Sequence, residues 1–109
     1  RESDEIVSAD HSGIDLGVVV GTTVLAAMEG TVTVVSNEGE YGTHVKIVNK
    51  DVTTIYAHCS KILVKKDAKI KKGQKIALSG NTGNTTGPHL HFEIRRDNRT
   101  INPALVLNF

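Results

Sequence analysis

Aromatic residues are scarce in this chain of 109 residues: two Tyr, two Phe and no Trp, 4% in all. The core must therefore come from Val, Ile, Leu and Ala, a composition that favours pleated sheet. Cysteine is equally scarce. Cys59 stands alone, which excludes an internal disulfide and leaves stability to packing. Neither sign of charge dominates: 13 Lys and Arg against 12 Asp and Glu give a net +1, too little asymmetry to imply nucleic acid or an anionic membrane as partner. No apolar run in the sequence approaches the ~20 residues that span a bilayer. A chain that starts without methionine is expected to be a processed form or an excised domain, with any export signal or membrane anchor outside it.

What is present is strand patterning. Short β-branched runs separated by Gly and Asn turns predict strands at Ile14–Val18, Val24–Met28, Thr31–Val35, His44–Val48, Thr53–His58, Lys75–Ser79 and His89–Arg95. Turns are marked by Glu29-Gly30, Asn37 to Gly42, Asn49-Lys50-Asp51, Lys72-Gly73 and Asp97-Asn98. The tail Asn102-Pro103-Ala104-Leu105 suits one helical turn, capped by Asn102 with Pro103 at its first position. Residues 1–9 are read as a leader or linker remnant and 10–109 as one domain, all-β and mostly antiparallel, with a narrow groove floored by a sheet that carries the chemistry. Lys61, Lys65, Lys66, Lys69, Lys71, Lys72 and Lys75 are read as a solvated edge guarded by like charge, rather than as a polyanion strip.

The chemistry lies in the histidines. Positions i and i+2 on a strand project from one face, so His89 and His91 point together, and Asp15 can join His11 in the same way. Two imidazoles and one carboxylate drawn from these four leave a tetrahedral zinc one open position, the arrangement of a catalytic rather than a structural site. A lone strand histidine is ordinarily a partly exposed polar residue. An imidazole pair on one face costs too much in repulsion and desolvation to be favoured for packing alone. His58, in Tyr56-Ala57-His58, is a further candidate. The glycines of Ser79 to Pro88 supply the positive φ of a hairpin loop and also leave room for an extended substrate. No phosphate-cradling ending follows.

Taken in order, His11 to Asp15, Gly21 to Val32, Tyr56 to His58, Lys72 to Ile76, Thr86 to Ile94 and Asn102-Pro103 resemble the LytM/lysostaphin-type zinc endopeptidases of bacterial cell walls. The resemblance covers nearly everything from Asp10 to Leu107. It implies the LytM-like duplicated hybrid motif, with zinc as cofactor bound by His11, Asp15 and His91, and with His58 and His89 as catalytic residues beside the activated water. The implied substrates are peptidoglycan peptides, cut in a stem-peptide cross-link or a cross-bridge, and the implied location is the extracytoplasmic cell envelope. A narrower resemblance, to the sporulation-associated domains of the stage II sporulation protein Q type, implies a mother-cell membrane protein as partner and a membrane anchor at the forespore. The alternative of another class is a zinc-binding, non-catalytic interaction module of a cell-envelope or forespore–mother-cell channel complex.

Ile47 to Thr54 departs from the family pattern by lacking the Ile-x-His-x-x-Gly turn. Cys59 stands where leucine is common and is read as a small buried apolar residue. His44 is assigned no chemistry. Glu93, two residues beyond His91 and on the same strand face, is read as a surface-facing salt bridge, with support of the metal shell as the alternative. Lys66 to Gln74 resembles the hairpin of lipoyl and biotinyl carriers but lacks their lysine between methionines.

Overall fold

A computed structural model describes residues 5–9, 14–17, 19–81, 90–96 and 99–101. Ten strands follow in chain order: β1 Glu5–Ala9, β2 Ile14–Gly17, β3 Thr23–Leu25, β4 Gly30–Ser36, β5 Thr43–Asn49, β6 Val52–Ile62, β7 Lys69–Ile70, β8 Lys75–Ser79, β9 Leu90–Arg96 and β10 Arg99–Ile101. Every pairing is antiparallel. The main path runs β1-β2-β9-β6-β5-β4-β7, with β10 on β9 and β3 joined through β8 to β6. No helix occurs among the described residues, and none is long and apolar enough to cross a membrane.

The all-β reading holds, with corrections. The segment read as a leader supplies β1, which pairs with β2 from Glu5↔Gly17 to Ala9↔Ile14. Its polar sequence conceals this because an edge strand is held by backbone hydrogen bonds to its neighbour, and these leave no pattern in the side chains. β7 and β10 escaped notice because two- and three-residue strands are too short for a period. The tail Asn102 to Leu107 lies outside the described residues.

β6 organises the domain. Val52 to Ala57 pairs on one side with β9, from Val52↔Arg96 to Ala57↔His91. Beyond that point the strand leaves β9 and takes up β8 at Cys59↔Ser79, Lys61↔Leu78 and Ile62↔Ala77. His58 sits at the change of partner with φ 61, in the left-handed region that non-glycine residues seldom enter. The other flank of β6 is held by β5, with a register shift between Thr43 and Val45 beside the same point.

Alternation along these strands buries one face. Val45, Ile47, Tyr56, Phe92 and Ile94 fill the core together with Val24, Val32, Ile70 and Ile76. Tyr56 replaces missing aromatic bulk: its ring meets Phe92 at 5.1 Å, and its hydroxyl accepts the Ala27 N–H at 3.0 Å. β7 ends the path, and Lys69 on it is exposed while Ile70 is buried, as an edge guarded by charge requires.

Cys59 is fully buried, as its apolar reading anticipates. Desolvation pushes its thiol up to about 12. Because the thiolate is the nucleophile, its fraction at pH 8 is on the order of 10⁻⁴. Aromatic-disulfide reagents at that pH should therefore label the denatured chain within minutes and the folded domain at least ~10³ times more slowly. Fast labelling of folded protein would show that β6 opens locally at Cys59.

Candidate active site

Strand β9 divides its residues between two environments. Leu90, Phe92 and Ile94 enter the core, while His91, Glu93 and Arg95 take the opposite face. The register sets His91 between Ala57 of β6 and Asp15 of β2. His58 follows Ala57, and its ring centroid lies 6.0 Å from that of His91, at 58°. Two histidines far apart in sequence are thus brought together by the point where β6 changes partner.

Tyr41, in the loop between β4 and β5, closes this face. Its carbonyl accepts the His58 N–H at 2.8 Å. Its ring stacks on His91 with centroids 6.1 Å apart at 25°, and meets His44 at 5.3 Å. The Lys46 ammonium stands 5.8 Å from the Tyr41 ring centroid, within cation–π range. His44, buried, donates from Nδ1 to the Gly42 carbonyl at 2.8 Å. This contact braces the loop beside Tyr41.

Beneath Tyr41 lies Glu93, only 3% exposed. The salt bridge expected of Glu93 is present, to Arg95 at 3.0 Å, but it does not face the surface. Glu93 Oε1 accepts from His91 Nε2 at 2.8 Å, and the Tyr41 hydroxyl reaches both oxygens at 2.9 Å. Arg95 donates to Oε2 from Nε at 3.2 Å and from its terminal nitrogen at 3.0 Å. Burial raises the pKa of Glu93, but the bonds from His91, Tyr41 and Arg95 outweigh it and hold the carboxyl below its usual range. The carboxylate is therefore ionised at neutral pH. Burial and the negative Glu93 push the Tyr41 phenol up, so it stays protonated and remains a donor. Sequence alternation puts Glu93 on the face of His91 but gives no sign of the ring that covers it. The missed residue is Tyr41, and its one signal is an aromatic set in a glycine-marked loop of a chain with four aromatics.

Farther along the same face, Thr33, Lys46, Thr53 and Arg95 line an open cleft of about 340 Å³. Of the residues singled out from sequence, His58 and His91 are brought together and Asp15 is the register partner of His91. His11 and His89 lie outside the described residues, as do Gly83, Gly87 and the side chain of Asp15. Among the described residues no three His, Cys, Asp or Glu side chains gather as a metal site. Gly80 is described, and its function differs from the one expected. A Cβ there would stand 2.5 Å from the Ser60 backbone nitrogen, so close strand approach rather than positive φ demands glycine.

An antiparallel sheet with two histidines on one face is the architecture of LytM-type peptidase domains. The solved structure of a zinc-containing peptidase from Vibrio cholerae superposes with a TM-score of 0.86 and 38% identity, over 90% of this chain and 35% of that one. The chain belongs to peptidase family M23, which it matches over residues 9–103. Peptidoglycan DD-endopeptidase ShyA of Vibrio cholerae is 44% identical over 95 residues, 86% of this chain and 22% of that protein. Murein hydrolase activator NlpD of Escherichia coli is 38% identical over 99 residues, 89% of this chain and 26% of that protein. The chain thus spans about a quarter or less of the length of the curated relatives it matches.

Proposed function

We propose that this domain is a zinc-dependent endopeptidase that hydrolyses peptide bonds of peptidoglycan in the cell envelope. The observation that carries the reading is His91, anchored through Nε2 by a buried carboxylate, with His58 beside it and Asp15 opposite in register, in a chain of family M23. The donor chemistry fits zinc: a neutral imidazole that donates from Nε2 carries its lone pair on Nδ1, and imidazole with carboxylate is a zinc donor set. His11, Asp15 and His91 would hold the ion. When bound, zinc supplies Lewis acidity that polarises a carbonyl and makes water nucleophilic near neutral pH.

The chain's own residues do the remainder. His58 and His89 orient the attacking water, take its proton and steady the oxyanion as the water oxygen adds to the peptide carbon. The same imidazoles return a proton to the nitrogen as the C–N bond breaks, giving a free carboxylate and a free amine. The cleft farther along this face is lined by Lys46, Lys50 and Arg95 against the single acid Asp51, a net positive lining that suits a peptide bearing carboxylates. The DD-endopeptidase activity named for ShyA favours the stem-peptide cross-link over a glycine bridge as the bond cut.

Purified domain should contain equimolar zinc and release new amino termini from purified peptidoglycan. A chelator should stop that release and added zinc restore it, while His91→Ala should lack both metal and activity. Undiminished cleavage by metal-stripped protein would overturn the proposal. NlpD, an activator by name, favours a second reading in which the domain binds a partner hydrolase. Zinc-loaded wild type that releases no amino termini would move the assignment there. The sporulation-specific resemblance, with its mother-cell membrane partner and forespore anchor, draws no support from these relatives and forms no part of the proposal.

A further inference from the structure

We propose that Glu93 is a positioning residue, which sets the tautomer and orientation of the His91 ring, and that Tyr41 is the brace that holds Glu93 in place. The inference rests on the zinc reading above. Tyr41 donates to both oxygens of Glu93 and Arg95 to Oε2, so Oε1 meets His91 as an acceptor and the 2.8 Å contact places a proton on His91 Nε2. The lone pair then belongs to Nδ1, and the ring can present that atom in a single orientation.

A plain Glu93–Arg95 ion pair does not account for the arrangement. The Arg95 side chain is 41% exposed and could meet a carboxylate at the surface, whereas that of Glu93 is 4% exposed. Burying the carboxylate is unfavourable unless each oxygen is satisfied. Here Oε1 serves His91, Oε2 serves Arg95, and the Tyr41 hydroxyl spans both. Tyr41 also stacks on His91 and accepts the His58 N–H. One residue thereby ties the carboxylate, the ring it steers and the backbone of the second histidine into a unit. Outer carboxylates that hold a metal-binding histidine typically govern metal affinity by 10–100-fold.

Two measurements test this. Long-range ¹H–¹⁵N spectra of zinc-free wild type, labelled at histidine and taken where the ring is neutral, should show His91 as the Nε2–H tautomer. The Nδ1–H tautomer would overturn the proposal without recourse to any variant. Zinc affinity by competition with a chromophoric chelator should fall about 10–100-fold in Glu93→Ala, with part of the loss recovered in Glu93→Gln, which retains an acceptor for Nε2–H. Tyr41→Phe should weaken zinc several-fold while keeping the ring stack. Folded Glu93→Ala that binds zinc within twofold of wild type would overturn the proposal and leave the endopeptidase reading intact. Wild type that binds no zinc would overturn both.

Discussion

His58→Ala is expected to keep its zinc and lose its turnover. His58 and His91 stand 6.0 Å apart. His91 is steered through its side chain by Glu93, and the backbone of His58 is fixed at φ 61 with its N–H bound to the Tyr41 carbonyl. If His91 binds the ion and His58 moves protons, removing the second imidazole should cost about 10²–10⁴ in kcat/KM, the usual worth of a positioned acid–base group. That corresponds to roughly 3–5 kcal/mol of barrier. Metal content and peptidoglycan cleavage measured on one preparation decide the point. Loss of zinc along with activity would make His58 a ligand, and cleavage within tenfold of wild type would remove it from the proton-transfer step.

Gly80→Ala is expected to be among the most damaging single-methyl changes at the described residues. The new Cβ would meet the Ser60 nitrogen at 2.5 Å and the Cys59 carbonyl carbon at 2.8 Å. Both are backbone atoms of β6, so no side chain can rotate away. Relief would require β8 and β6 to separate where β6 has just changed partner. We expect a loss of more than about 3 kcal/mol, at the upper end for overpacking, and a fall in Tm of more than roughly 12 °C for a domain of this size. Gly73 provides the contrast: its added Cβ meets nothing within 4 Å, and only its φ of 84 resists substitution, a cost on the order of 1 kcal/mol. Thermal melts of both variants should separate them clearly. Equal, small shifts would mean that the β6–β8 seam yields to a methyl group.

These two residues also mark where the sequence was informative and where it was not. β8 has the bounds read from its pattern, Lys75–Ser79, because it keeps the same two neighbours, β3 and β6, along its length. β6 was read to end at His58 and continues to Ile62. Its period breaks where the neighbour changes, and a change of neighbour is invisible to local pattern. The histidines were legible because imidazoles at strand spacing are chemically costly. Glu93 was misjudged because its cover, Tyr41, comes from 52 residues away. Spacing gives the face on which a side chain lies, but only tertiary packing determines whether that face is wet.

The left-handed backbone of His58 bears on any attempt to harden this domain. Glycine adopts that conformation without the steric penalty that any other residue carries, and the penalty is of the order of 1–2 kcal/mol. Selection for heat resistance alone would thus tend to discard His58 as a flaw. Survivors of such a screen would be sturdier proteins lacking the proposed proton carrier, so thermostable variants must be sought under simultaneous demand for cell-wall cleavage.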